Sequence, residues 1–326
     1  MIGDGIKARF EAALDRRFGA LGIHLDHRVD QLEKALAEER ERRIDAERGL
    51  HESIDALDRS VNIEQREILR AIAAEEPRNR RRLFELREDP DYELPFTENE
   101  PLVSICITAI PERLNSLLER TLPSALGQTY ANVEVIVVGN RCGDAHVGAI
   151  EHLNDARVRF TDLTHRVVHT DPTREWLKAA TMSRNEAHRQ AGGMWIADLD
   201  DDDALKLDAI EGLLELAQSQ KLEVAYGYHE EHVPSGESKL VGGFPPQLTD
   251  PKWRENQLPW APWQGFASNG AIWHTGMKIF AREHVAAELH TPGDYFRLER
   301  MVRAGVRFGM LDRAVYEYWP SSLWDA

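Results

Sequence analysis

At 326 residues, with 42% hydrophobic and 29% charged side chains, the chain is long enough for about two folding units and a substantial core. Its formal net charge of -16 opposes non-specific binding to nucleic acid or to an anionic bilayer, since both partners are negative. Two cysteines, Cys106 and Cys142, exclude a disulfide framework and a cysteine-built metal site, and point to a cytoplasmic setting. No stretch reaches the about 18 apolar residues of a membrane span, and the charged N-terminus does not read as a signal peptide.

Residues 1–76 are rich in Glu, Arg, Ala and Leu. Apolar side chains recur at Leu14, Phe18, Leu21, Leu25, Val29, Leu32 and Leu36, and again at Leu50, Ile54, Leu57, Val61, Ile68 and Ile72. Steps of three or four put one stripe on a helix. The expectation is one or two long helices that form a coiled coil and make the protein a homo-oligomer. A helix resting on the rest of its own chain is the alternative. Residues 77–100, from Pro77 through the basic run Arg78–Arg82 to prolines 90 and 95, are expected to be a linker.

From residue 101 the pattern changes. Val103–Thr108 and Val133–Val138 read as buried strands, with a helix between them from about Arg113 to Gln128. Val158–Phe160 and Trp195–Leu199 are expected as the third and fourth strands. Strands alternating with helices imply an α/β domain with a mostly parallel sheet, over residues 101–326, that binds ligands at the carboxyl ends of its strands.

The strongest local signal is the run Asp200-Asp201-Asp202-Asp203 after the fourth strand. Clustered carboxylates at a strand end are hard oxygen ligands suited to Mg²⁺ or Mn²⁺. A solvated acidic turn that caps the next helix fits the same residues. An EF-hand does not, because Leu205 occupies the sixth position, where that loop needs glycine.

Four stretches in order resemble family 2 glycosyltransferases. They are Ser104–Thr108 with Ile110-Pro111-Glu112-Arg113; Ser124–Tyr130; Ser183–Ala187 with Ala191–Ile196 and Leu199–Asp203; and Gly293–Arg300 with Ala304-Gly305. The resemblance implies a GT-A fold and inverting transfer of a sugar from a nucleoside-diphosphate sugar, UDP or another pyrimidine nucleotide, to a hydroxyl acceptor. That acceptor is a glycan, a lipid-linked sugar or a small molecule. Under the resemblance Asp202 and Asp200 hold Mn²⁺ or Mg²⁺, and Asp294 is the general base. Thr108, Ala109, Ile110, Pro111, Arg113, Asn140, Arg184, Asn185, Asp200 and Asp201 line the nucleotide site.

One departure is visible: the family's second strand ends in Val-Asp-Asp, whereas this chain has Val138-Gly139-Asn140. Asn140 keeps a hydrogen-bonding group of similar size without the charge. Trp263, Trp273 and His274 are the acceptor-side candidates, because aromatic faces stack on sugars, although aromatic rings equally fill cores. Two other readings are open. A nucleotidyltransferase would need a Gly-rich loop after the first strand, and Thr108–Pro111 is not one. An inactive, nucleotide-binding scaffold organised by the coiled coil is the other.

Overall fold

A computed structural model describes residues 34, 36, 38–43, 70, 74–165, 180–232, 236–242, 269–281 and 293–320, with the backbone alone at 293–295. The chain divides into two units, Met1–Ile63 and Glu64–Ala326. In the first, residues 38–43 are helical. Nearly all of the apolar stripe lies outside the described residues.

The second unit is a mixed α/β domain. Its nine described strands are β1 (Val103–Ala109), β2 (Val133–Gly139), β3 (Val158–Asp162), β4 (Trp195–Asp200), β5 (Ala204–Leu205), β6 (Val224–His232), β7 (Ser238–Val241), β8 (Ile272–His274) and β9 (Phe308–Tyr318). They form one sheet in the order β3-β2-β1-β4-β8-β6-β9-β5, with β7 on β6. The first four strands in that order are mutually parallel, as their apolar runs predict. β8 pairs antiparallel with both β4 and β6, and β9 runs parallel to β6.

Alternation along β1 and β4 sorts side chains onto two faces. Ile105, Ile107, Trp195, Ala197 and Leu199 pack on one face with Leu117, Leu122, Ile210 and Leu213. The last four belong to α2 (residues 111–126) and α5 (Ala209–Gln220). Cys106 and Ile196 point the other way, towards Ala187, Leu298 and Met301. These lie on α4 (Thr181–Gln190) and α6 (Gly293–Ala304). α3 (Asp144–Leu153) follows β2. The helix expected between the first two strands begins two residues after Ala109 and widens over Leu117–Thr121.

The expected linker is folded. Residues 74–87 are helical (α1), and short helical turns follow at Pro90–Glu93 and Leu94–Thr97. Leu83, Tyr92 and Phe96 are buried, and three apolar anchors within fourteen residues outweigh the prolines, which sit in first turns where no N–H is needed. Acidic residues of α1 meet α6, with Glu75 on Arg300 at 3.0 Å and Glu76 on Arg303 at 3.7 Å.

Further along, Arg87 grips the fully buried Glu223 carboxylate with bonds of 2.7 and 2.8 Å. Tyr92 Oη donates to the same group at 2.5 Å, and the Arg307 amide at 2.6 Å. Burial alone would raise the Glu223 pKa, but the Arg87 and Tyr92 bonds hold it below the usual carboxylate range. A carboxyl whose folded pKa is lowered contributes stability above its unfolded value of about 4.3, and that contribution is lost as pH falls through the lower folded value. Glu223→Gln is therefore expected to cost about 1–3 kcal/mol at pH 7, discounted because both arginines are partly exposed. Urea titrations should show the gap to the wild type closing below about pH 4.

Candidate active site

The carboxyl ends of β1, β2 and β4 lie side by side, with Thr108 level with Asp200 and Ala109 level with Gly139. Parallel register therefore carries Ile110, Asn140 and Asp201 past the sheet together. These are the places where sequence reading sets the nucleotide loop, the base-contacting residue and the acidic cluster.

The four aspartates have different surroundings. Asp200 is the accessible one, with 39% of its side chain exposed against 3% for Asp201 and 8% for Asp202. It accepts from Thr108 Oγ1 at 3.3 Å, from Asn269 Nδ2 at 2.8 Å and from the Arg184 guanidinium. Asp201 turns back into the protein, where it takes the Ile110 amide at 2.7 Å and Arg113 Nη1 at 3.2 Å. Asp202 Oδ2 is 2.7 Å from the same Arg113 nitrogen. Asp203 is buried between Asn269 Nδ2 at 2.8 Å and the Trp319 amide at 3.1 Å.

Burial raises the pKa of Asp201, Asp202 and Asp203, and neighbouring charge adds to the effect. Asp201 is pushed up to about 7 by burial, with the Asp202 charge adding to it against the pull of Arg113. Asp202 is raised by burial and then by Asp200, and Asp203 is raised by burial and then by Asp202. Like charges this close disfavour full ionisation. A divalent cation would relieve the repulsion, and hard carboxylate oxygens are its preferred donors. The donor set fits Mg²⁺ or Mn²⁺ on this ground. Among the described residues, no group of three or more His, Cys, Asp or Glu side chains is arranged to hold a metal alone. Asp200 and Asp202 could hold one as a pair, with phosphate oxygens from a ligand completing the shell.

Several expected site residues are placed differently from their anticipated roles. The Asp201 carboxylate braces the Ile110–Arg113 loop and does not face outward. Arg184 is fully buried; it donates to the Cys106 carbonyl at 2.6 Å, the Leu199 carbonyl at 3.0 Å and the Asp200 carboxylate, and so braces Asp200 from within. Asn185 follows it on α4 and is partly buried. Asn140 is buried, and its amide donates to the Ala109 carbonyl at 2.8 Å. Pro111 opens the first turn after β1.

The acceptor-side candidates need correction. β8 pairs His274 with Trp195 and Trp273 with Ile196, at the end of β4 remote from the aspartates. His274 is fully engaged: Nδ1 accepts from the Gly276 amide at 3.0 Å, Nε2 bonds to the Tyr92 carbonyl at 3.0 Å, and the ring stacks on Phe96. Trp273 is buried beneath the Arg297 guanidinium, 4.5 Å from its ring centre. Their aromatic character serves packing. Trp263 lies outside the described residues, as do Trp253 and Trp260. Asp294 occupies the first turn of α6, whose next turn carries the buried Arg297.

Some contributors went unread in the sequence. Asn269 spans Asp200 and Asp203 with one amide nitrogen. Arg120 donates to the Asp202 carbonyl at 2.9 Å and lies 3.7 Å over the Trp319 ring. Asp162, at the end of β3, accepts the Cys142 and Gly143 amides, both at 2.8 Å. A Cβ at Gly139 would come within 2.5 Å of Asp162 Oδ1. The glycine at 139 is thus tied to a carboxylate supplied by the neighbouring strand.

Residues 104–242 match the sequence model described as Glycosyl transferase family 2. The matched stretch runs from β1 through the acidic cluster to the end of β7, and so contains every nucleotide-side residue discussed above. Among curated relatives, it is 27% identical over 141 residues to the UDP-Glc:alpha-D-GlcNAc-diphosphoundecaprenol beta-1,3-glucosyltransferase WfgD of Escherichia coli, covering 43% of this chain and 50% of that protein. It is 30% identical over 106 residues to the succinoglycan biosynthesis protein ExoO of Rhizobium meliloti (strain 1021), covering 32% of this chain and 27% of that protein. The chain thus spans half or less of the length of these relatives. A solved structure of S. aureus TarS 1-349 in complex with UDP-GlcNAc aligns at a TM-score of 0.48 and 16% identity, covering 67% of this chain and 58% of that one. Among the described residues no helix is long and apolar enough to cross a membrane.

Proposed function

We propose that the chain is a glycosyltransferase that moves a sugar from a nucleoside-diphosphate sugar to a hydroxyl acceptor with inversion, using a divalent cation and a pyrimidine nucleotide. The observation that carries the reading is the accessible Asp200 carboxylate beside Asp202, at the sheet edge where the Ile110–Arg113 loop and Asn140 converge. The UDP-glucose named for the E. coli relative supports a uracil base. Asp200 and Asp202 would hold Mg²⁺ or Mn²⁺, which offsets negative charge on the departing diphosphate.

The protein's own groups divide the remaining work. Arg113 lies on Asp202, and its planar guanidinium fork would suit a phosphate beside that carboxylate. Asn140 offers a donor and an acceptor to the base. Asp294 takes the proton of the attacking hydroxyl. It lies far from the aspartate cluster in sequence, as inversion requires a base on the face opposite the leaving group.

The test is a thermal-shift screen of UDP, CDP, GDP, ADP and dTDP, each with and without Mn²⁺. Binding to the folded state raises stability by mass action, and UDP with Mn²⁺ is expected to give the largest rise. Equal shifts with and without Mn²⁺ would favour a second reading, a nucleotide-binding scaffold. The Arg113–Asp202 ion pair motivates that reading, because it already supplies positive charge where the cation would sit.

The apolar stripe of residues 1–76 supports homo-oligomerisation through a coiled coil. Light scattering on the full chain and on a chain beginning at Glu64 checks this. The full chain is expected to be a dimer and the shorter chain a monomer; two monomers would refute it.

A further inference from the structure

Asp198 sits mid-strand in β4 with no exposed surface. A carboxylate there is costly, because charge is disfavoured in a buried site unless it is closely paired. A valine or leucine would fill the position at no such cost, so what its partners do decides the residue's purpose. Two residues along the same strand face, Asp200 carries the accessible carboxylate of the proposed donor site.

Three side chains converge on Asp198. His188 Nε2 on α4 bonds to Oδ1 at 2.6 Å. Arg184, one turn earlier on the same helix, places Nη1 3.7 Å from Oδ1. Arg297 on α6 places Nη1 3.3 Å from Oδ2. Burial pushes His188 down to about 4, so it donates as a neutral imidazole and the arginines supply the compensating charge. Burial alone would raise the Asp198 pKa, yet His188 and the two arginines hold it well below the usual range.

Each arginine also has a second attachment. Arg184 continues to the Asp200 carboxylate and is held by the Cys106 and Leu199 carbonyls. Arg297 is stacked on Trp273 and lies one turn after Asp294. The backbone adds another link: the Asp198 carbonyl accepts the Gly270 amide at 3.0 Å, next to the Asn269 that spans Asp200 and Asp203. Asp200 and the helix of Asp294 are thus joined through one carboxylate.

We infer that Asp198 is a positioning residue that holds the helix carrying Asp294 in register with Asp200. The inference rests on the glycosyl-transfer reading above. Acceptor attack depends on that register, and a displacement of about 1 Å at a reacting centre costs on the order of 10²-fold. Donor binding depends on it less, since the loop after β1 and the acidic cluster stay in place when α6 shifts.

The experiment compares wild type, Arg297→Gln, Arg297→Lys, Asp198→Asn and the Asp198→Asn/Arg297→Gln double variant. UDP binding with Mn²⁺ is measured by calorimetry, and UDP release from a panel of UDP-sugars over p-nitrophenyl glycoside acceptors gives kcat and KM. Arg297→Gln is expected to lower kcat about 10–100-fold while UDP affinity and donor KM change less than about threefold. Arg297→Lys, which keeps the charge, should recover most of the loss. Asp198→Asn should lose as much kcat, with the double variant no worse, as expected of groups acting as a unit. If either single variant fails to fold, the other decides. A lowered melting temperature with kcat per folded molecule unchanged would make Asp198 merely structural and overturn the inference. Wild-type protein that neither binds UDP with Mn²⁺ nor releases it from any donor would instead remove the glycosyl-transfer reading, and the inference with it.

Discussion

Asp294→Asn is expected to bind the nucleotide donor as the wild type does and to transfer sugar about 10²–10⁴-fold more slowly. The groups proposed for the nucleotide side are Ile110, Arg113, Asn140, Asp200 and Asp202, and in that proposal none of them depends on the Asp294 carboxylate. Acceptor attack does depend on it in the proposed reaction, because a sugar hydroxyl is a weak nucleophile until a base takes its proton. Asp294 also lies in the first turn of α6, where a carboxylate favours the helix on electrostatic grounds alone. Asparagine keeps the size and much of the capping capacity of aspartate, so a purely local role would survive the change. Initial-rate measurements with the best donor from the nucleotide screen, beside calorimetry with its diphosphate, separate the two roles. Near-normal transfer would leave Asp294 as a helix-end residue and send the search for the base elsewhere.

The sequence made the parallel half of this sheet legible because each strand is a short apolar run between turn signals. Val103–Thr108 is buried on both faces, and Val133–Val138 is too apart from the partly exposed Glu134, as such runs require. The antiparallel half was not legible. β8 is three residues long, and β6 and β9 carry mixed polarity because part of β6 is only half-buried and part of β9 is exposed. In residues 77–100 prolines and charge announce a linker, whereas Tyr92 is held by Glu223 and Arg307, 131 and 215 residues away.

The site divides along the same line. Asp200–Asp203 could be found because four carboxylates in a row at a strand end are rare and chemically pointed. What each does could not be found, because side-chain direction alternates and loop curvature then redirects it. Asp201 faces inward to Ile110, while Asp200 remains open. Asn269 and Trp319 join the cluster only through tertiary folding. Asp198 was read as an ordinary strand residue, although a charged side chain in the midst of Trp195-Ile196-Ala197 and Leu199 was itself a signal that partners must converge there.

Asp202→Ala is expected to remove the Mn²⁺-dependent part of nucleoside-diphosphate binding and leave the fold intact. Titration calorimetry with UDP should show affinity at least about 100-fold weaker than wild type when Mn²⁺ is present, equivalent to about 2.7 kcal/mol. With Mn²⁺ withheld, the two proteins should bind UDP within a few-fold of each other. The fold should tolerate the change because the Asp202 carboxyl is an uneasy resident: burial and the Asp200 charge both raise its pKa. Its removal relieves that repulsion, and Arg113 keeps Asp201 as a partner at 3.2 Å. A melting temperature equal to or above that of the wild type in metal-free buffer is therefore the companion result. The Asp202 main-chain carbonyl, which accepts from Arg120, is untouched by the substitution. Asp203→Ala would be a poorer probe, because Asp203 ties Asn269 to the Trp319 amide and its loss would disturb packing as well as charge. Unchanged UDP affinity in the presence of Mn²⁺ would show that Asp202 holds no cation. Arg113 and Arg120 would then be left as the groups that neutralise a diphosphate at this edge of the sheet.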